Sequence, residues 1–207
     1  MILPKTIGQM KYLNKLKTLT KPILVVNGPA GTGKTSFACQ VAAEQFMTNK
    51  IHKIILTRPM IAVDEDIGYL PGDMNSKFGP WSSILTDAFE NYMTKSNIKR
   101  LIQDEIIQPI PIGFMRGKTF KDTFVIADEM QNSTLNQMKM LLTRIGENSN
   151  MIITGDIDQS DIQDENGLEY ITKKITPDLE FIESIQLTHG DICRHPALNE
   201  ILNVLYK

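Results

Sequence analysis

The sequence predicts an α/β protein with a doubly wound, mostly parallel sheet that is covered by helices on both faces. Strand-like and helix-like segments alternate along the chain, as is typical of this class. The strand-like segments are short, uninterrupted apolar runs, which indicate strands buried on both faces. With 207 residues and 42% hydrophobic content, we expect one domain that spans residues 1–207.

The individual elements follow from the spacing of apolar residues. Continuous apolar runs predict strands at residues 23–26, 53–57, 124–127 and 151–153. Helical spacing predicts helices at residues 35–47, 81–93 and 134–145. Thr134 and Gln137 form a capping-box signature at the start of the last helix, and Gly146 is expected to end it. Residues 58–80 are rich in Pro, Gly and Asp and predict a long loop.

A phosphate-binding loop is predicted directly after the first strand, where the sequence reads GPAGTGKT and fits the pattern G-x-x-x-x-G-K-[ST]. Glycines at these positions let successive N–H groups point at phosphate oxygens, at the positive N-terminus of the next helix. We expect Lys34 to reach the β- and γ-phosphates and Thr35 to bind Mg²⁺. The predicted nucleotide-binding residues are Gly28, Pro29, Ala30, Gly31, Thr32, Gly33, Lys34, Thr35 and Ser36. An ordinary glycine-rich turn is the alternative, and the strand–loop–helix context argues against it.

Two further strands end in polar side chains. The run at 124–127 delivers Asp128 and Glu129, and parallel sheets bind ligands at this carboxyl edge. Asp128 is suited to hold Mg²⁺, while Glu129 can orient or deprotonate an attacking water. The run at 151–153 is followed by Gln159, whose amide can contact both a γ-phosphate and a water. Taken alone, an acidic pair or a Gly-Asp turn would be ordinary surface features.

Composition limits the classes of function. A net charge of −2 argues against a globally basic nucleic-acid coat protein, yet it allows a local basic groove. Cys39 and Cys193 have no C-x-x-C spacing and the three histidines form no ligand cluster, so neither zinc nor a disulfide framework is indicated. The chain shows no signal core or membrane span, and we expect a cytoplasmic protein.

With these residues in place, the chain resembles the PhoH-like ATPase family, whose single domain is similar to the first RecA-like domain of superfamily-one helicases. The resemblance runs from about residue 4 to residue 206. Besides the strings above, it covers PKTIGQ, ILTRPMIA, GYLPGD, GFMRGKTF and DICRHPAL. It implies a RecA-like P-loop fold with ATP and Mg²⁺ as cofactors.

The resemblance also implies roles for three residues. Gln9 is similar to the helicase-type glutamine that reads the adenine edge. Arg58 is similar to a residue that contacts the nucleic-acid backbone, and Arg194 is similar to a late arginine that reaches the γ-phosphate. Arg116 and Lys118, which are basic residues in a predicted loop, are further candidate nucleic-acid contacts.

One departure from the helicases concerns closure of the site. Helicases place the nucleotide between two RecA-like domains, whereas this chain contains one. We therefore expect a cyclic homo-oligomer, with a hexamer suggested by analogy with other RecA-like rings. In such a ring Arg116 or Arg144 is the candidate arginine that a neighbouring subunit supplies.

The predicted function is Mg²⁺-dependent ATP hydrolysis coupled to single-stranded RNA or DNA, with Lys34, Glu129, Gln159 and Arg194 as catalytic residues. A nucleotide-switched binding protein with low turnover is one alternative, which Glu129 disfavours. A small-molecule kinase is another, but the five arginines are dispersed and form no lid segment. A GTPase is disfavoured because no N-K-x-D string occurs.

Overall fold

The computed structural model describes residues 2–59, 87–193 and Val204. Within these ranges, six strands form one sheet in the order β3-β2-β4-β5-β1-β6, and all five pairings are parallel. The strands are β1 (Ile23–Asn27), β2 (Lys53–Thr57), β3 (Ile107–Pro109), β4 (Thr123–Ala127), β5 (Asn150–Gly155) and β6 (Ile182–Gln186). The predicted doubly wound parallel sheet is therefore confirmed.

Among the described residues, five helices cover the two faces of this sheet: α1 (Ile7–Thr18), α2 (Lys34–Met47), α3 (Lys95–Gln103), α4 (Leu135–Leu142) and α5 (Gly167–Lys174). The first three pack on one face, where Tyr12 and Phe37 meet Leu24 and Ile126 of the sheet. The last two pack on the other face, where Met138, Leu141 and Leu168 lie among Val25, Val125 and Ile153. Neighbouring strand residues thus alternate between two cores, as the pleat of a strand requires. No helix in the described part of the chain is long and apolar enough to cross a membrane.

The register of the central strands determines where the functional residues emerge. Asn27 of β1 is level with Gly155 of β5, and Ala127 of β4 is level with Ile153 of β5. The chain therefore leaves these three strands at the same carboxyl edge, where parallel sheets bind ligands.

Two predicted helices differ from the structure. Of the predicted helix 81–93, residues 81–86 lie outside the described residues, residue 87 is helical as predicted, and residues 88–93 form turns instead. The next helix instead begins at Lys95, where the Thr94 side chain accepts a hydrogen bond from the Asn97 N–H and caps it. The predicted helix 134–145 ends at Leu142. After it, the Thr143 hydroxyl donates to carbonyls of the last turn, and Ile145 forms a parallel β-bridge with Phe120, so the chain leaves the helix there. Of the predicted loop 58–80, only Arg58 and Pro59 are described.

The predicted capping box at α4 is present and allows a stability test. Thr134 Oγ1 accepts a hydrogen bond from the Gln137 N–H at 3.2 Å, and the Gln137 side chain accepts one from the Thr134 N–H at 2.9 Å. Thr134→Ala removes the cap and should lower the free energy of unfolding by about 1 kcal/mol. Thr134→Ser keeps the hydroxyl and serves as the matched control. Equal stability of the alanine and serine variants in urea unfolding would contradict this role.

Candidate nucleotide-binding site

The phosphate loop starts where two strands of the sheet hold it from either side. The Gly28 N–H donates to the Gly155 carbonyl at 3.1 Å, and the Leu187 N–H donates to the Asn27 carbonyl at 2.8 Å. A Cβ on Gly28 would lie 2.7 Å from the Leu187 Cβ, so no side chain fits there. Gly33, at the N-terminus of α2, has φ +87°, a left-handed conformation that favours glycine.

Lys34 places a positive charge inside the curve of this loop. Its ammonium donates to the carbonyls of Gly28 at 2.5 Å and Pro29 at 3.0 Å. The loop N–H groups and the N-terminus of α2 add further positive potential at the same place. The arrangement is suited to bind an anion such as a phosphate chain, as the loop pattern predicts.

The Asp128 carboxylate joins the first turn of α2 to the ends of β4 and β5. Its Oδ1 accepts hydrogen bonds from Thr35 Oγ1 at 2.8 Å and from Thr154 Oγ1 at 2.5 Å. Hydroxyl and carboxylate oxygens are the ligands that Mg²⁺ prefers, so the two predicted metal-binding residues fit this ion. The described residues contain no cluster of three or more His, Cys, Asp or Glu that could hold a metal alone. A Mg²⁺ ion here would complete its shell with phosphate and water oxygens, as it commonly does.

Glu129 follows Asp128 in a backbone conformation that is uncommon for a residue with a side chain. Its φ is +54°, in the left-handed region, which costs of order 1–3 kcal/mol and is found preferentially at functional sites. Gln131 donates from Nε2 to Glu129 Oε2 at 2.6 Å. The same amide accepts from the Asp156 N–H at 3.1 Å, so Gln131 connects Glu129 to the chain after β5.

Asp156 lies beside the phosphate loop and was not predicted as a site residue. The carboxyl group is buried, and this burial raises its pKa, although Lys34 and a hydrogen bond from the Asp158 N–H act in the opposite direction. Its raised pKa means that the ionised form is less stable in the folded chain than in water.

The other end of the pocket is formed by Gln9 and the chain around Asp191. Gln9 is 3% exposed, and its Oε1 accepts from the Lys5 N–H at 2.8 Å. Its Nε2 faces the carbonyls of Thr32 and Asp191 and the Cys193 sulfur at 3.1–3.2 Å. Gln9 can therefore hydrogen-bond to adenine only if one of these internal hydrogen bonds is broken and replaced by a bond to the base.

Asp191 fixes this end of the site to α1. Burial raises the pKa of Asp191, but hydrogen bonds from Thr6 and Thr188 outweigh the burial, and the net pKa is lowered. A Cβ on Gly8 would lie 2.3 Å from Asp191 Oδ1, which explains the glycine in the first turn of α1. The Cys193 N–H also donates to the Gly31 carbonyl at 3.1 Å. The string around Asp191 is therefore bound to both α1 and the phosphate loop.

A single pocket of about 410 Å³ extends between these two ends. The predicted residues that line it are Gln9, Ala30, Gly31, Gly33, Lys34, Thr35, Ser36, Asp128 and Glu129. Gln159 is not among them: it lies in the 3₁₀ turn Ile157–Gln159, where its N–H donates to the Asp156 carbonyl at 2.9 Å. Arg194 lies outside the described residues.

The basic residues predicted to contact nucleic acid or a neighbouring subunit lie in different environments. Arg58 follows β2, and its Nε is buried without a hydrogen-bond partner within the described ranges. Arg116 and Lys118 are exposed in the connection that leads to β4. The Lys118 carbonyl accepts from Arg144 Nη1 at 3.1 Å, so Lys118 lies beside Arg144, which stands two residues after the end of α4. Arg144 also donates to Met140 and Thr143.

Two residues with direct roles in this geometry were missed by the sequence analysis, namely Thr154 and Gln131. Thr154 could have been found, because it follows Ile153, which is level with Ala127, near the carboxyl end of the strand that pairs with β4. Gln131 gave no such signal, since its two contacts depend on the turn Met130–Asn132 that follows Glu129.

Comparisons with known proteins identify the family of this chain. A family model described as "PhoH-like protein" matches residues 1–206. The chain is 40% identical over 205 residues to a PhoH-like protein of Bacillus subtilis (strain 168), and the aligned region covers 98% of this chain and 63% of that protein. It is 39% identical over 163 residues to Protein PhoH of Escherichia coli (strain K12), and here the aligned region covers 78% of this chain and 46% of that protein. This chain therefore spans less than two thirds of the length of either relative.

A solved structure supports the fold. The Pif1 helicase from Candida albicans superposes on 100% of this chain and 44% of its own, with a TM-score of 0.50 and 18% identity. At this identity the likeness concerns the fold alone, and it agrees with the predicted RecA-like α/β architecture.

The raised pKa of Asp156 leads to a pH-dependent stability prediction. The unfolded carboxyl has a pKa near 3.8 and the folded one is higher, so stability falls as pH rises through the interval between them. Asp156→Asn cannot ionise and should therefore be more stable than the wild type above this interval. Below pH 3.8 the difference should vanish. Urea unfolding at several pH values tests this, and a difference that stays constant across about pH 3–8 would contradict it.

Proposed function

The chain belongs to the PhoH-like protein family of P-loop NTPases, and we propose that it is a Mg²⁺-dependent ATPase that acts on single-stranded RNA or DNA. The observation on which this proposal rests most is the hydrogen bond between Thr35 and Asp128 beside the phosphate loop. It brings the two oxygen ligands of the metal next to Lys34, and the following residue is a carboxylate that can take a proton.

In the proposed reaction, a water oxygen attacks the γ-phosphorus of ATP while the bond to the β,γ-bridging oxygen breaks. The water proton passes to the Glu129 carboxylate, and the products are ADP and inorganic phosphate. Lys34 compensates charge on the β- and γ-phosphates. Mg²⁺, held by Thr35 and Asp128, would supply further charge neutralisation. Gln131 orients the base, because its amide holds Glu129 Oε2 at 2.6 Å.

Three assignments complete the proposed site. Gln159 and Arg194 contact the γ-phosphate side, and Gln9 selects adenine. Gln9 is supported by its place on the pocket wall, between the phosphate loop and the chain at Cys193. Gln159 is supported by its place in the turn after Asp156, which itself neighbours Lys34 and Ala30.

We propose that single-stranded nucleic acid contacts Arg58, Arg116 and Lys118. Arg58 is the best supported of the three, because it directly follows β2 at the carboxyl edge of the parallel sheet, where such sheets bind ligands. The Thr57 carbonyl accepts from the Asp128 N–H at 2.8 Å. Nucleic acid bound at Arg58, the residue after Thr57, would therefore lie close to the metal-binding residue Asp128.

We also propose a cyclic homo-oligomer, with six subunits by analogy, in which an arginine reaches the neighbouring site. Arg116 is better suited to this role than Arg144. Arg144 donates three hydrogen bonds within its own chain, whereas Arg116 is exposed.

The first prediction of this proposal concerns Glu129. Glu129→Gln should keep ATP affinity within about threefold of the wild type and lower turnover by about 10²–10⁴, because the amide cannot accept a proton. Glu147→Gln is the control, since Glu147 is exposed and follows α4. Phosphate release and ATP binding are measured in parallel. Turnover in Glu129→Gln equal to that of the wild type would remove Glu129 as the base.

The second prediction concerns Arg58. Binding of a single-stranded oligonucleotide should weaken steeply with salt, and Arg58→Ala should flatten the slope of log K against log salt by about one unit, because one phosphate contact is lost. Lys53→Ala, at the opposite end of the same strand, is the matched control. Wild-type protein that binds no oligonucleotide at about 50 mM salt would contradict the nucleic-acid part of the proposal.

A further inference from the structure

Residues 2–5, here called the strap, cross one wall of the pocket and are held at both ends by side chains. The Ile2 N–H donates to Gln40 Oε1 at 2.9 Å, and the Lys5 N–H donates to Gln9 Oε1 at 2.8 Å. Thr6, the next residue, donates to Asp191 at 2.5 Å and caps α1. Pro4 further restricts the backbone between the two anchors. The strap is therefore held close to a single conformation.

Gln40 is an unusual residue for its position on α2. Its side chain is 1% exposed, and the neighbouring positions on this helix are filled by small and apolar residues such as Val41 and Ala43. Burial of an amide is costly unless its groups are hydrogen-bonded. Both groups are satisfied, because Oε1 accepts from the strap and Nε2 donates to Glu44 Oε1 at 3.1 Å. A buried amide of this kind specifies one arrangement of its partners.

The strap lines the part of the pocket that the phosphates do not need. Ile2, Leu3 and Lys5 share the pocket with the phosphate loop and Phe37. Leu3 is 73% exposed, which leaves an apolar surface at the pocket mouth. A phosphate chain at Lys34 and Thr35 would leave the strap side of this pocket open to the rest of a bound nucleotide.

We propose that Gln40 is a positioning residue for the nucleoside half of the ligand, and that it acts by holding the strap against the base. This inference rests on the proposed binding of a nucleoside triphosphate and adds the element that fixes its base. Gln40 lies about 7.5 Å along the helix axis from Thr35, at 1.5 Å per residue. One rigid helix thus carries the phosphate contacts at its start and the strap anchor further along.

The test compares two ligands that differ only in the nucleoside, ATP and inorganic tripolyphosphate, both with Mg²⁺. Gln40→Leu removes the acceptor at similar volume and should weaken ATP binding by about tenfold, because the strap loses the hydrogen bond that holds the Ile2 N–H in place. Tripolyphosphate binding should stay within about twofold, because the phosphate loop is unchanged. The double variant Gln40→Glu with Glu44→Gln keeps both hydrogen bonds, because the side chain at position 40 still accepts from the Ile2 N–H while its bond with position 44 is reversed. This variant should restore ATP affinity.

Leu3→Ala is a second variant that does not depend on the core. Since Leu3 is exposed, the variant should fold like the wild type and still lose ATP affinity without losing tripolyphosphate affinity. Equal losses for both ligands in Gln40→Leu, or no loss for either, would overturn the role of Gln40. A wild type that binds tripolyphosphate as tightly as ATP would overturn the base site and leave the phosphate site intact. A wild type that binds neither ligand would defeat both proposals.

Discussion

The site depends on one carboxylate, Asp128, and on the two hydroxyls that donate to it. Thr35 belongs to the first turn of α2 and Thr154 to the end of β5, so the hydrogen bonds to Asp128 Oδ1 join three elements that are distant in sequence. Charged acceptors form stronger hydrogen bonds than neutral ones, particularly where the bond is partly buried. The distance between the phosphate loop and Glu129 is determined by this junction, and the proposed chemistry requires that distance to be fixed.

The parallel sheet makes this junction possible. Because β1, β4 and β5 run in the same direction and are in register, the residues that follow them reach one edge together. Two apolar cores hold the strands from both faces, and each core contains residues of all three strands. Apolar burial in these two cores stabilises the sheet, and the polar site at the edge of the sheet depends on that stability. Gln131 and Gln40 have a similar role, since each is a buried amide that hydrogen-bonds to a segment outside the sheet, Glu129 and the strap respectively.

Much of the fold was predictable from local patterns, but the contacts between segments were not. The runs that became β1, β2, β4 and β5 are continuous and apolar, so their strands could be placed from the sequence. No assignment was made for α1, α3, α5, β3 or β6, whose apolar residues are interrupted by lysines and other polar groups. The sequence predicts the phosphate loop from its pattern, and it predicts Asp128 and Glu129 from their place after an apolar run; the structure brings these residues to one pocket. The role of Gln40 comes from a hydrogen bond to the distant residue Ile2, and that of Gln131 from a turn with no sequence signature, so neither was predictable. The place of Thr154 near the end of β5 was a usable signal.

The dependence of ATP affinity on Mg²⁺ tests the central claim most directly. Calorimetric titration of the wild type with ATP, in Mg²⁺ and in EDTA, is compared with the same pair of titrations on Asp128→Asn. We expect tighter binding with Mg²⁺ for the wild type and loss of that gain in the variant, because Thr35 alone cannot hold the ion. ATP affinity that is the same with and without Mg²⁺ in the wild type would contradict the site described here.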